Sequence, residues 1–226
     1  MKHSLLVLLA LALCLTGLSA PNEDVSPMRK VTVQEWMACQ GDCGKCFVPV
    51  EILEIVNPAL AVVGDETGRV NLFGVHFQGN FFGFDENMFR AGDKILLANP
   101  RYNVFEGSVE MADAEFLGFS ELGGEALPLR VSVQEWLEAK GEVGDCSLTV
   151  AIRAYIYPVL AIVTDGSANA NLFSFKVDGE TMGLLGEAAQ VGDVLILQNP
   201  VYNVFNGAPE IIEAELLRVI HKPQAE

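Results

Sequence analysis

Hydrophobic and polar positions alternate along most of the chain with a period of two, and the runs are separated by glycine, proline and acidic turn residues. Such alternation is typical of strands with one buried face, because successive side chains of a strand point to opposite sides. The runs LAVV and LAIV are apolar throughout, which is typical of buried strands. The pattern predicts strands at residues 47–56, 60–63, 70–75, 94–97, 148–156, 160–163, 170–175 and 194–197.

A helical signal precedes the strands in each half of the chain, at residues 31–38 and 131–139. Thr32 stands three residues before Glu35, and Ser132 stands three residues before Glu135. This spacing matches a capping box, in which the two side chains satisfy backbone N–H groups of the first helical turn. A second helix is predicted between the third and fourth strands of each half, at residues 84–90 and 182–190.

The two halves are copies of one another. VTVQEW at residues 31–36 returns as VSVQEW at 131–136, and NPRYNVFEG at 99–107 returns as NPVYNVFNG at 199–207, both 100 positions later. Between 31–119 and 131–219, 34 of the 89 aligned positions are identical. The chain is therefore a tandem duplication, with predicted domains at 29–119 and 129–220 and a glycine- and proline-containing linker at 120–128.

A fifth strand follows the YNVF loop of each repeat. In the second repeat, Glu213 and Glu215 alternate with Ile212, Ala214 and Leu216, as expected when one face is buried. A leading helix, three strands, a helix and two strands is the element order of the OB-fold, a five-stranded Greek-key barrel. The predicted fold class is all-β with short helices: two tandem OB-fold barrels after a signal peptide.

The N-terminus predicts export. Lys2 and His3 precede an apolar run at 5–13, and small residues end the segment near Ala20. This is the arrangement of a signal peptide, predicted at residues 1–20. The alternative is a retained membrane anchor, but the run is shorter than the ~20 residues that a membrane-spanning helix needs. We expect a secreted or periplasmic protein, in a compartment where disulfides persist.

The stretch CQGDCGKC at 39–46 has the CxxxCxxC spacing of the iron–sulfur site in radical-SAM enzymes. The surrounding strand pattern and the predicted export argue against a cluster, and three cysteines without a fourth ligand argue against zinc. We expect a disulfide between Cys39 and Cys43, with Cys43–Cys46 pairing or free thiols as alternatives. Cys46 and Cys146 are expected to be small buried residues. No cofactor and no metal are predicted.

Catalytic chemistry is not indicated by the sequence. After the predicted signal, histidine occurs only at His76 and His221, and no nucleophile is placed beside a base. His76 is expected to be a solvent-facing polar residue. The sequence therefore predicts a protein that is not an enzyme.

The short motifs add a resemblance. The VxVQEW helix, the Asp-Glu-Thr-Gly turn at 65–68, the Gly-Asp before the fourth strand and the YN…G loop before the fifth resemble OB-fold domains of secreted bacterial proteins, some of which are attached to extracellular nucleases. The resemblance covers both repeats, although the second has Asp-Gly-Ser-Ala at 165–168. It implies an OB-fold and a binding surface, and it implies no nuclease site because no catalytic domain is attached.

In OB-folds, the loops that join strands one and two and strands four and five flank the ligand groove. Exposed aromatic residues there could stack on bases or sugar rings, although the same residues could instead close the barrel. The predicted ligand-binding residues in these loops are Tyr102, Asn103, Phe105, Tyr157, Tyr202, Asn203 and Phe205.

The charge balance bears on the ligand. The formal net charge is −16, whereas nonspecific nucleic-acid binding depends on Lys and Arg. We therefore predict a secreted, non-enzymatic binding or adaptor protein whose ligand is a protein or a saccharide, with nucleic acid disfavoured. Two alternatives are a single-stranded nucleic-acid-binding protein that uses the loop aromatics, and a thiol or iron–sulfur redox enzyme.

Overall fold

The structure is a computed structural model that describes residues 28–85, 88–157, 160–183 and 189–222. The predicted signal peptide at 1–20 lies outside these residues. The first repeat contains β1 (Arg29–Lys30), α1 (Val33–Ala38), β2 (Cys46–Asn57), β3 (Leu60–Asp65), β4 (Gly68–Phe73), β5 (Val75–Phe77), β6 (Asn80–Phe82), β7 (Lys94–Ala98), β8 (Arg101–Phe105), β9 (Ser108–Ala112), β10 (Glu115–Leu122) and β11 (Glu125–Ala126). The second contains β12 (Leu129–Arg130), α2 (Val133–Glu138), β13 (Cys146–Tyr157), β14 (Leu160–Thr164), β15 (Asn169–Leu172), β16 (Ser174–Val177), β17 (Glu180–Gly183), β18 (Val194–Gln198), β19 (Val201–Phe205), β20 (Ala208–Ile212) and β21 (Ala214–Ile220).

The strands of each repeat close into a barrel. β2, β3 and β4 form an antiparallel meander, and β7 pairs antiparallel with both β2 and β10. β4 and β5 are two segments of one strand interrupted at Gly74, and β9 and β10 are separated at Asp113, which has φ 51°. β4 pairs parallel with β9 and β5 pairs parallel with β10, which closes the barrel. The second repeat has the same strand order, so the chain forms the two tandem OB-fold barrels that the sequence predicts.

The predicted capping boxes are confirmed. Thr32 accepts a hydrogen bond from the Glu35 N–H while the Glu35 side chain accepts one from the Thr32 N–H, and Ser132 and Glu135 repeat the arrangement. Each helix has only six residues, and it is fixed to its barrel by tertiary contacts. Trp36 and its counterpart in α2 are fully buried.

The predicted second helix is wrong in the first repeat. The structure places the β5–β6 hairpin before this segment, and none of the described residues in 84–90 is helical. The Phe84 N–H donates to the Pro58 carbonyl, which holds the start of this segment against the loop after β2, and a Cβ at the preceding Gly83 would lie 2.2 Å from the same oxygen. Phe84 and Phe89 fill the end of the barrel instead of forming one face of a helix. In the second repeat residues 182–183 lie in β17, and residues 184–188 lie outside the described part of the chain.

The two barrels share an interface. Val194, Ile196 and Ile220 from the second barrel pack with the core of the first. Arg218 of β21 forms an ion pair with Asp93 of the first barrel, and both side chains are nearly buried. The residues predicted as a linker, 120–128, contain the end of β10 and its pairing with β11. No helix within the described residues has the length and apolar character needed to cross a membrane.

Candidate functional site

The two tyrosines predicted to bind ligand lie against the buried tryptophans. The ring centroids of Tyr102 and Trp36 are 5.4 Å apart, and those of Tyr202 and Trp136 are 5.3 Å apart. Trp36 also donates a hydrogen bond from Nε1 to the Pro100 carbonyl at 2.9 Å. Both tyrosines are half-buried. Their contacts with the tryptophans pack the β-hairpin of each repeat against its helix.

The asparagines and phenylalanines of the same hairpins point the other way. Because side chains alternate along β8, Asn103 and Phe105 lie on the face opposite Tyr102. Asn103 donates a hydrogen bond from Nδ2 to Oε2 of Glu110 at 3.2 Å, and Asn203 makes the equivalent bond in the second repeat. Phe105 is 61% exposed. This face of the hairpin therefore presents an amide and a bare aromatic ring.

A cleft of about 470 Å³ opens on this face of the first barrel. Its walls are the loop from Asn57 to Leu60, the end of β4 at Phe73, and the β8–β9 hairpin, which contributes Arg101 and Phe105. We call it the aromatic cleft. It lies between the two loops that flank the ligand groove in OB-folds.

Phe73 is the aromatic cleft residue that sequence reasoning missed. It is 45% exposed, and its ring centroid lies 5.9 Å from that of Phe81, which is also exposed. A signal was present, because Leu72 is buried and the alternation of β4 therefore directs Phe73 to solvent. An aromatic residue at a solvent-facing strand position is the feature that marks this site in the sequence.

The charged groups beside the aromatic cleft form a small network. Arg101 Nε lies 2.6 Å from Asp113 Oδ2, and His76 Nε2 lies 3.7 Å from Asp113 Oδ1. The Arg101 side chain remains 59% exposed. Asp113 thus orients Arg101 at the rim of the cleft, while the guanidinium stays accessible to an anionic ligand.

The wall formed by residues 57–60 is held by hydrogen bonds. Asn57 Oδ1 accepts a bond from the Ala59 N–H at 2.8 Å, and the Gly74 N–H donates to the Ala59 carbonyl at 3.1 Å. The Phe84 N–H donates to the Pro58 carbonyl at 2.7 Å. These bonds fix the loop in place, so the cleft does not depend on ligand binding to form its shape.

The second barrel keeps part of this arrangement. Phe173 and Phe205 are exposed at the positions that correspond to Phe73 and Phe105. Val201 stands where the first repeat has Arg101, so that cation is missing from the corresponding surface. Tyr157 ends β13, and its side chain lies outside the described part of the structure. The ligand-binding role of the seven residues named from the sequence stays a prediction.

The cysteine stretch is structural. Cys39 and Cys43 form a disulfide, as predicted. Cys46 and Cys146 are buried, and burial raises the pKa of both thiols above the usual value. A raised pKa disfavours the reactive thiolate. Within the described residues no group of three or more His, Cys, Asp or Glu side chains is arranged to hold a metal ion.

Among known proteins, matches to this chain are found in the solved structures. No protein-family model and no curated protein matches the sequence. A structure of a murine DNA-binding protein with double-stranded DNA matches with 12% identity and a TM-score of 0.32, over 80% of this chain and 98% of the other. The Ifi202 HINa domain in complex with double-stranded DNA matches with 14% identity and a TM-score of 0.30, over 77% and 96%. A multidomain protein with nucleic-acid-binding domains from Streptococcus pneumoniae matches with 9% identity and a TM-score of 0.27, over 74% and 50%.

These matches contradict the predicted order of ligands. Structures with DNA bound are among them, so the preference for a protein or saccharide ligand and against nucleic acid is wrong. The preference was drawn from the net charge of the whole chain, which does not describe the charge at one cleft. A likeness at these identities and TM-scores transfers no ligand to this chain, and none of the three matched structures is described as a secreted bacterial OB-fold protein.

Proposed function

We propose that the chain is a non-enzymatic single-stranded nucleic-acid-binding protein that binds bases in the aromatic cleft. The observation that carries the proposal is the pair of exposed rings, Phe73 and Phe105, that line one preformed cleft together with Arg101. Bases stack on aromatic side chains with about 1 to 3 kcal/mol per base, and the interaction tolerates any sequence.

The affinity for a single strand is expected to depend only weakly on salt at this cleft. A protein that neutralises Z phosphates of a single strand loses affinity with a slope of about −0.7Z in log K against log salt. Arg101 is the cation that the aromatic cleft presents. We therefore expect stacking to supply most of the affinity at this cleft, and the salt slope contributed there to be close to that of one phosphate.

Fluorescence anisotropy with a labelled oligothymidine of ~16 nucleotides, near the upper site size of an OB-fold, tests the proposal. Phe73→Ala and Phe105→Ala should each weaken binding by about 5- to 150-fold, which corresponds to the loss of one stack. Val104→Ala is the matched control, because Val104 is exposed on the same hairpin but is absent from the lining of the cleft. Absence of binding by the parent protein at low salt would overturn the proposal, as would unchanged binding in the double Phe variant.

The predicted export at residues 1–20 and the assignment of residues 29–119 and 129–220 to two domains belong to the same proposal. Neither depends on the ligand. A nucleic-acid-binding protein outside the cytoplasm would meet released strands in an oxidising compartment, which is compatible with the Cys39–Cys43 disulfide.

A further inference from the structure

A second cleft, of about 500 Å³, lies where the two barrels meet. The first barrel contributes Gln78 and Asn80 from the β5–β6 hairpin, and the second contributes Arg153, Asn169 and Lys222. We call it the junction cleft. It contains none of the residues that line the aromatic cleft.

The junction cleft is closed on one side by the tip of the β5–β6 hairpin. Gln78 Nε2 donates a hydrogen bond to the Thr164 carbonyl of the second barrel at 2.6 Å. Asn80 Nδ2 lies 3.4 Å from the Gln78 carbonyl. The amide groups of the first barrel are thereby held against the surface of the second, and the ion pair between Arg218 and Asp93 fixes the same interface.

Within the described residues, the two cations of the junction cleft form no ion pair. Neither Arg153 nor Lys222 lies within 4.0 Å of a carboxylate oxygen in the described part of the chain. Arg153 donates from Nη1 to the neutral Oδ1 of Asn169 at 3.3 Å. The carboxylate of Asp193 is buried and accepts hydrogen bonds from the backbone N–H groups of Lys222 and Gln190. The chain has a net charge of −16, yet these two cations line the same polar cleft. Their positive charges attract an anionic ligand to this place on the surface.

The corresponding surface of the first barrel provides a contrast. It forms a cleft of about 450 Å³ that is lined by Glu51, Asp65 and Glu66 as well as Arg69 and Lys94. The second repeat has Ala151 and Gly166 in place of the two glutamates, and Arg153 in place of Leu53. The second repeat keeps an aspartate, Asp165, where the first has Asp65, but it lacks both glutamates at the place where the two barrels meet.

We infer that the junction cleft binds a phosphate group of the nucleic-acid backbone, an inference that rests on the proposed function for its natural ligand. Arg153 offers a planar set of donors suited to phosphate oxygens, and Lys222 offers a second positive charge. The amides of Gln78 and Asn80 add neutral polar groups at the wall. The site positions a strand through its backbone and carries no base specificity.

Inorganic tripolyphosphate is the probe, because it carries phosphate groups and no base. Isothermal titration of the full two-barrel protein at low salt should show binding to one site. Arg153→Gln and Lys222→Gln should each weaken it at least tenfold. Arg69→Gln is the matched control, since it removes one positive charge from the equivalent cleft of the first barrel. Phe73→Ala should bind tripolyphosphate like the parent protein.

The oligothymidine assay then separates this inference from the proposed function. Each substitution in the junction cleft should make the salt slope shallower by about 0.7, the value for one phosphate contact on a single strand. Tripolyphosphate binding that depends on Arg153 and Lys222, together with no oligonucleotide binding, would support a phosphate site and overturn the proposed function. Oligonucleotide binding that depends on Phe73, with neither assay responding to Arg153→Gln or Lys222→Gln, would overturn the phosphate site alone.

Discussion

Replacing Arg218 by methionine should destabilise the whole two-barrel unit. The guanidinium of Arg218 pairs with Asp93, donates to the Met88 carbonyl at 3.1 Å, and lies 5.1 Å from the ring centroid of Phe119. The Arg218 side chain is 10% exposed and that of Asp93 is 1% exposed. Methionine keeps the apolar part of the side chain and removes every one of these polar contacts.

The size of the stability loss is set by the Asp93 carboxylate, which stays buried when Arg218 is removed. Removing one partner of a buried ion pair costs about 3 to 5 kcal/mol, because the other charge stays buried without compensation. Asp93 keeps two donors, the N–H of Arg90 at 2.9 Å and the N–H of Gly123 at 3.2 Å. We therefore expect a loss near the lower limit, about 3 kcal/mol. At about 2 to 4 °C per kcal/mol for a unit of this size, the Tm should fall by about 6 to 12 °C.

Urea unfolding and calorimetry of the parent protein and the Arg218→Met variant measure this loss. Arg69→Met removes the same charge from an exposed position and should change stability by less than about 0.5 kcal/mol. The double variant Asp93→Asn and Arg218→Met should recover part of the loss, because no buried charge remains unpaired. A loss below about 0.5 kcal/mol in Arg218→Met would refute the reasoning, since it would mean that the pair is not buried in the folded protein.

Two further predictions concern the first repeat. The second repeat has alanine and valine in place of Cys39 and Cys43, and the same double substitution in the first repeat should lower the free energy of unfolding by ~2 kcal/mol. The loss is small because the disulfide joins residues only four positions apart and therefore closes a short loop. Equal stability of the parent protein with and without reductant would contradict this prediction. Burial alone would raise the pKa of Asp65, but hydrogen bonds from the Thr67 side chain and from backbone N–H groups, including that of Val33, hold the pKa below its usual value. That stabilisation is present above the unfolded-state pKa of about 4 and is lost as the pH falls through the folded-state pKa. Asp65→Asn should therefore unfold at lower urea than the parent at pH 7 and show a smaller deficit at about pH 2, and a deficit that does not change with pH would argue against the charge of Asp65.

The features that the sequence predicted correctly depend on neighbouring residues. The capping box at Thr32 and Glu35 spans four positions, and the strands are encoded by alternation within each run. The Cys39–Cys43 disulfide joins residues one helical turn apart. In each case the residues that interact are brought together by the local chain conformation, so the pattern along the sequence is sufficient.

The failed predictions depend on contacts across the barrel. The run around Phe84 and Phe89 has the composition of an amphipathic helix, but Gly83 lies against the Pro58 backbone and the phenylalanines fill the barrel end. The sequence also leaves open whether Tyr102 faces a ligand or closes the barrel, and the structure shows its ring packed on Trp36. Which residue of a hairpin faces the core is set by the element on the other side, which alternation alone does not identify.

The sequence by itself determined the duplication, the two OB-fold barrels, their short capped helices and the disulfide, because periodicity and spacing carry that information. Only the tertiary structure joined Asn57, Phe73 and Phe105 into one cleft, since barrel closure brings together segments that are far apart in the chain. It also decided that Arg153 and Lys222 face the tip of another barrel's hairpin. Binding sites of this fold are built between strands and between domains, so their charge and shape emerge only after both barrels have closed and packed.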